Sequence, residues 1–172
     1  MPIDLFEIDK SGSDLLNRDY SVVVVKNNQT VFGYKIEQHV KDELTNQFRK
    51  GLLNISNDNV LNFKIRFHTA IIILLMKEAI KRREKLDECK VLICNDYDGH
   101  FHEIKDMFFT NLKPEMPTLD REKIIMAKFP PESLIQRAAK SVYKGDKEEM
   151  SRFNLYHFDI EQLKDLIKKA RR

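Results

Sequence analysis

Residues 62–86 form the longest stretch of helical spacing in the chain, and at their middle residues 70–76 are apolar at every position. A helix that is hydrophobic all round must be packed on more than one side, so this segment predicts a helix lying against the face of a sheet. The run is also the longest strictly apolar one, and it falls far short of the roughly 20 residues a membrane-spanning helix needs. Charged residues make up 33% of the sequence and hydrophobic residues 42%. That balance supplies a sizeable core and speaks against a membrane protein.

The sheet such a helix needs is legible on both sides of it. Residues 5–9 read as a first strand, ended by Lys10-Ser11-Gly12-Ser13. Residues 20–26 contain four consecutive valines, the mark of a strand buried on both faces. Asn27-Asn28 then offers the positive φ of a tight hairpin turn, and residues 30–36 alternate with Phe32, Tyr34 and Ile36 on one face. Residues 37–53 read as a helix with Val40, Leu44, Phe48 and Leu52 on one stripe, and residues 54–59 as a polar linker. Beyond the long helix come a short buried strand over 90–95, a helix over 102–112 with Ile104, Met107, Phe108 and Leu112 inward, and a strand over 123–129 stopped by Pro130-Pro131. A helix over 132–144 carries Leu134, Ile135, Ala138, Ala139 and Val142 on one face. A last helix starts at Asp159, with Gln162 completing a capping box, and runs to the end. An early antiparallel hairpin followed by helix–strand alternation implies an α/β fold: one domain over residues 1–172, a single mixed sheet, and helices on its faces.

Two cysteines, Cys89 and Cys94, flank the 90–95 strand. Their odd spacing puts them on opposite faces, so a mutual disulfide is not expected and a reducing cytoplasm is the expected setting. The N-terminus shows no basic segment followed by an apolar stretch, so no secretory signal is expected either. The formal net charge of +3 is too small to argue for nucleic acid by itself. Two local clusters are more suggestive: Lys81, Arg82, Arg83 and Lys85, and Lys168, Lys169, Arg171 and Arg172. Both also suit solvated helix ends that complement the negative pole of the dipole.

The segment Val91-Leu92-Ile93-Cys94-Asn95-Asp96-Tyr97-Asp98-Gly99-His100 holds the most chemistry. An apolar strand there delivers two carboxylates to its carboxyl end, where α/β sheets generally bind ligands. Gathered carboxylates repel one another unless a cation sits between them, so a Mg²⁺ or Mn²⁺ site is one reading. In the other, Asp96, Asp98 and Gly99 form a strand-to-helix turn in which one aspartate caps the next helix.

A second locus is Ile8-Asp9-Lys10-Ser11-Gly12, an acid leaving a first strand into a small turn with a hairpin after it. Together with the long helix leading into Val91-Leu92-Ile93 and Asp96, this resembles the ribonuclease H-like superfamily, loosely its type 2 ribonucleases H. Ile124-Ile125-Met126-Ala127 followed by Ala138-Ala139-Lys140-Ser141-Val142 is similar to the strand and alanine-rich helix near those enzymes' last catalytic aspartate. The resemblance implies metal-dependent phosphodiester hydrolysis, with Asp9 and Asp96 holding Mg²⁺ or Mn²⁺, Asp98 assisting, and Lys10, Lys128 and Lys140 steering the phosphates of a nucleic acid. Two metal ions roughly 4 Å apart do this work in such enzymes. The chain departs from the pattern in two places: Lys10 stands where a glutamate follows the first aspartate, and Met126 falls where the last aspartate belongs. Asp98 or Asp146 would have to substitute for it. A non-catalytic nucleic-acid or protein interaction module on the same fold therefore stays open as the alternative.

Asp96-Tyr97-Asp98-Gly99 also resembles the first motif of haloacid-dehalogenase-like phosphatases, which would make Asp96 a nucleophile. His100 stands there in place of a threonine, and Gly145-Asp146 would be the later acidic motif. His100 and His102, beside Asp98 and Glu103, offer nitrogen ligands, but at the start of a helix the two rings diverge, which disfavours a tetrahedral zinc site. His68 reads as a hydrogen-bonded core or sheet-facing histidine, Cys94 as a small buried hydrophobe, and Phe63, Phe67, Phe108 and Phe109 as core.

Overall fold

A computed structural model describes residues 3–12, 14–17, 21–28, 30–83 and 88–168. Strands β1 (Asp4–Gly12), β2 (Ser21–Asn27) and β3 (Thr30–Lys35) come first, followed by helices α1 (Gln38–Arg49) and α2 (Val60–Lys81). Then come β4 (Cys89–Cys94), α3 (Phe101–Leu112), a 3-10 turn over Arg121–Lys123, β5 (Ile124–Ala127), α4 (Leu134–Lys144), α5 (Lys147–Met150), β6 (Asn154–Leu155) and α6 (Ile160–Ile167). The strands form one six-stranded sheet in the order β5-β4-β1-β2-β3-β6. β1, β2 and β3 are antiparallel neighbours, while β4 runs parallel to β1 and β5 parallel to β4. This is the expected mixed sheet with its N-terminal antiparallel hairpin, and the Asp9-bearing strand lies beside β4 in its interior.

The long helix does what its sequence demands. α2 lies against β2 and β3 and is flanked by α3 and α6. Every side chain from Ala70 to Met76 is buried, with Leu74 the most exposed at 9%. The opposite face of the sheet is covered by α4, whose Ile135, Ala138, Ala139 and Val142 pack on Val22 and Val31. Val22 thus belongs to one layer and Val25 to the other, so β2 is buried on both faces. Asn28 takes φ +52° in the hairpin turn. The capping box of α6 is present, with Asp159 accepting from backbone and Gln162 answering.

Several boundaries differ from the sequence reading, each for a local reason. β1 continues through Lys10 and Ser11 to Gly12, because its pairing with β2 runs on to Ser21. α1 stops at Arg49, and Gly51 turns the chain at φ +71°. Leu52 therefore leaves the stripe and is exposed, while Leu53 takes the buried place. α2 begins at Val60 because the Asn59 side chain caps it, accepting from the Asn62 N–H at 3.1 Å. It ends at Lys81 rather than continuing to residue 86. Ser133 likewise caps α4, which starts at Leu134, two positions later than expected, and leaves Leu134 only partly buried. β5 is shorter than expected, and the elements α5 and β6 are too short to leave a periodic signal. Lys85 and the terminal cluster Lys169, Arg171 and Arg172 lie outside the described residues, as does Tyr20 at the start of the valine segment. Cys89 and Cys94 are both free thiols, and among the described residues no helix is long and apolar enough to cross a membrane.

Because α2 is buried from every side over residues 70–76, truncation there leaves a cavity that no solvent fills. Ile72→Ala or Leu75→Ala should each lower the free energy of unfolding by about 2–5 kcal/mol, read from urea melts. An effect below about 1 kcal/mol would mean that this helix is not packed on both sides.

Candidate metal centre

The pairing of β1 with β4 sets the site. The two strands are parallel and in a register that places Ile8 opposite Ile93. The next residues, Asp9 and Cys94, therefore stand side by side just past the last β1–β4 pair, at the end of β4 and within β1, which runs on to Gly12 beside β2. Side chains alternate along a strand, so Asp9 faces away from the layer in which Phe6 and Ile8 are buried. The Asp96 N–H then bonds back to the Cys94 carbonyl at 3.1 Å, and the Asn95 N–H bonds to the Ala127 carbonyl of β5 at 3.3 Å. This tight turn brings the Asp96 carboxylate back over the end of β1. One ligand atom from each of Asp9, Cys94 and Asp96 lies within 4.8 Å of the others, a group that could hold a metal ion.

Burial gives this cluster its unusual electrostatics. Asp9 is 2% exposed, and neither of its carboxylate oxygens accepts a well-formed hydrogen bond. Burial raises its pKa, partly offset by the approaching Cys94 thiol, the Lys10 backbone N–H and the Lys10 charge. Burial lifts the Asp96 carboxyl to about 7, with Lys10 opposing the rise and Asp9 adding to it. The Cys94 thiol is pushed up by burial and by the two aspartates. One ammonium, Lys10, thus faces two carboxyls that repel each other, and it does not hold both in their ordinary range.

His68 reaches this group from α2. It is 1% exposed, its Nε2 stands 3.9 Å from Asp96 Oδ2, and its ring is tilted against that of Tyr97 at 5.4 Å. Neither ring nitrogen has a hydrogen-bond partner, so the expected hydrogen-bonded core histidine is corrected. Burial, followed by the nearby Lys10 charge, lowers its pKa to about 3, which keeps the ring neutral. Among the described residues the buried polar or charged side chains are Asp9, Asn27, Lys41, Gln47, His68 and Thr69. Asn27 donates to the Leu5 carbonyl, Lys41 to the Asn17 carbonyl, Gln47 to Glu43 and Thr69 to the Ile65 carbonyl. Asp9 and His68 alone of the six lack such a bond; Asp9 belongs to the group, and His68 approaches it through Asp96.

The other residues picked out in the sequence lie elsewhere. Asp98 is exposed in the turn, where its Oδ1 accepts from Asn95 Nδ2 at 3.4 Å, and it is not one of the clustered ligands. Neither Asp96 nor Asp98 caps α3: the N-cap position belongs to His100, whose side chain makes no capping bond. Asp146 caps α5, accepting from the Glu149 N–H at 3.1 Å. His100 Nδ1 is 2.8 Å from Glu103 Oε1, and the exposed His102 is 3.9 Å from the same oxygen, so these two histidines join a surface ion pair rather than the acidic group. Lys128 is exposed just beyond β5. Lys140 lines a cleft of about 570 Å³ on α4 with Arg137, Lys144 and Arg152. Lys10 is the one predicted phosphate-steering residue whose charge acts on Asp9, Asp96 and His68.

Sequence reasoning missed Cys94 and His68 as members of the group. The signal for Cys94 was the β1–β4 register, which a sequence does not carry. For His68 it was a titratable ring two residues before the run that is apolar at every position.

The raised Asp96 pKa fixes the sign of a pH effect. An unfolded aspartate titrates near 3.8 and the folded one near 7, so the folded protein holds a proton that the unfolded chain releases between those values. The resulting stability is fully present below about pH 4 and is lost as the pH rises through about 7. Urea melts from about pH 4 to about pH 8 should show Asp96→Asn removing a decline of about 2–4 kcal/mol. A wild-type-minus-variant difference that is flat across that range would contradict the assignment. Set against known protein families, curated proteins and solved structures, the chain matches none.

Proposed function

We propose that this chain is a ribonuclease H-like protein that binds a divalent cation, Mg²⁺ or Mn²⁺, at Asp9 and Asp96 and hydrolyses a phosphodiester bond of nucleic acid. The observation that carries this reading is the convergence of two aspartates from adjacent, interior, parallel strands, Asp9 just past the last β1–β4 pair and Asp96 just past the end of β4. The reading requires that placement, and strands at opposite edges of the sheet would have ended it. A cation there would relieve the repulsion between two buried carboxyls and satisfy oxygens that now have no partner. Such an ion would lower the barrier by polarising a phosphoryl oxygen and activating water. Lys10 is placed to attract the phosphate, and the cationic face of α4 around Lys140 offers sites for the rest of the backbone.

The non-catalytic interaction module on the same fold is favoured by one observation: Asp98 stands outside the group and Asp146 is committed to capping α5, so two carboxylates serve where the resemblance implies more. The same cap weakens the phosphatase reading, because the carboxylate of its later acidic motif is already engaged.

Two measurements test the proposal. Manganese that binds only the folded state stabilises it by about 2.7 kcal/mol at a hundredfold excess over Kd, so the wild-type Tm should rise by about 5–10 °C. Asp96→Asn should abolish that rise while leaving the metal-free protein as stable or more stable at neutral pH. With Mn²⁺ present, the wild type should also cut single-stranded RNA, DNA or an RNA–DNA hybrid, and Asp9→Asn should cut at least about 100-fold more slowly. A melting temperature indifferent to metal would sink the metal centre. A clear metal response without cleavage of any of these substrates would leave the interaction module.

A further inference from the structure

The ligand set is not one that suits Mg²⁺. Mg²⁺ takes oxygen donors in near-ideal octahedral geometry and keeps several waters, whereas this group sets a thiol beside its two carboxylates. Thiolate and imidazole donors favour later first-row ions, zinc foremost. Beside Asp96 stands His68, almost wholly buried and without a partner on either nitrogen. Its Nε2 approaches the Asp96 carboxylate at 3.9 Å. Nothing in the apolar interior accounts for an imidazole held there unbonded, since a buried polar group without a hydrogen bond costs about 1–3 kcal/mol. An ion close to Asp96 accounts for it. Donors on one zinc-type ion lie roughly 2.0–2.3 Å from it, so pairs of them are separated by about 3–4.5 Å. The spacings among Asp9, Cys94 and Asp96 therefore close on an ion by small side-chain rotations, and His68, outside that trio, approaches it through Asp96.

We propose that Cys94 is a metal ligand, and that Asp9, Cys94 and Asp96, with His68 Nε2 as a fourth donor at the edge of the group, bind a thiolate-accepting ion of the zinc type in preference to Mg²⁺. On binding, the Cys94 S–H bond breaks, its proton leaves to solvent, and the sulfur electron pair forms the metal–sulfur bond. No oxidation state changes. Coordination expanding to five leaves room for a phosphate oxygen. The inference rests on the reading above that this cluster holds a cation, and it changes only the identity of the ion.

Cobalt(II) added to the full chain is the probe, because a cobalt–thiolate bond has its own near-ultraviolet charge-transfer band. One equivalent should give that band together with visible cobalt bands. The charge-transfer band should persist in Cys89→Ser and vanish in Cys94→Ser. Equimolar Zn²⁺ should displace the cobalt, and a hundredfold excess of Mg²⁺ should not. His68→Leu should shift the visible bands while keeping the charge-transfer band. Should Cys94→Ser fold poorly, Cys94→Asp is the second variant, expected to lose the band and to gain Mg²⁺-dependent stabilisation. Cobalt bound without the charge-transfer band, a band that survives in Cys94→Ser, or displacement by Mg²⁺ would overturn the proposal. Visible bands unchanged in His68→Leu would remove His68 from the ligand set. Stabilisation by Mg²⁺ or Mn²⁺ with no cobalt–thiolate band would overturn this inference and leave the proposed function standing, whereas no response to any of the four ions would overturn both.

Discussion

The parallel pairing of β1 with β4 is the contact on which the site depends. Its register sets Ile8 against Ile93 and so aligns the next residue of each strand, Asp9 and Cys94. A shift of one residue would turn every β4 side chain to the opposite face, burying Lys90, Leu92 and Cys94 in place of Cys89, Val91 and Ile93. The register is thus protected by the apolar face of β4, which packs in the same layer as Phe6 and Ile8. Core packing and site geometry are two consequences of one alignment, and neither can be changed alone.

The layer above explains why that alignment tolerates a cluster of poorly compensated polar groups. α2 packs against β2, β3, α3 and α6 with every position from Ala70 to Met76 apolar and buried, and the same helix carries His68 to Asp96. The loop after β1 is tied to this helix by the Lys64–Asp14 ion pair at 2.7 Å. Farther along, Arg83 is paired with Asp4 at the start of β1. A rigid frame holds the carboxyls close together against their repulsion, and Lys10 moderates that repulsion from within β1.

How far the sequence could be read follows from which signals are local. Period-2 and period-3.6 patterns are local, so the strands of the hairpin, the two-sided burial of β2 and the all-round burial of α2 were legible. So was the capping box at Asp159. Leu52 was misplaced because the helix ends through a left-handed glycine, which outweighs the stripe. Within the site, Asp9 and Asp96 were legible as acids at strand ends, since that is a sequence position. The positions of Cys94 and His68 were not, because they depend on the register between strands far apart in sequence and on the rotation of a helix that is apolar all round just after His68. Asp98 misled for the complementary reason: two residues beyond Asp96, it lies past the tight turn, and proximity in sequence did not become proximity in space.

The contrast between the site and the rest of the interior is the strongest argument that the cluster is not incidental. The fold satisfies its other buried polar side chains economically. Asn27 bridges to β1, Lys41 reaches a loop carbonyl, and Thr69 bonds back along its own helix. Single buried oxygens also go unpartnered elsewhere, at Gln38, Gln47 and Asn62, but among the described residues Asp9 and His68 are the buried side chains left without such a bond at every polar atom. Replacement of either by an apolar residue of similar size would remove the desolvation penalty without disturbing the backbone, which is the substitution that selection for stability alone would favour. Local rules are generally broken where function requires it. Here one breach, Asp9, lies in a group with a thiol and a second carboxyl, and the other, His68, stands beside that carboxyl, a combination of donors that a divalent ion would satisfy.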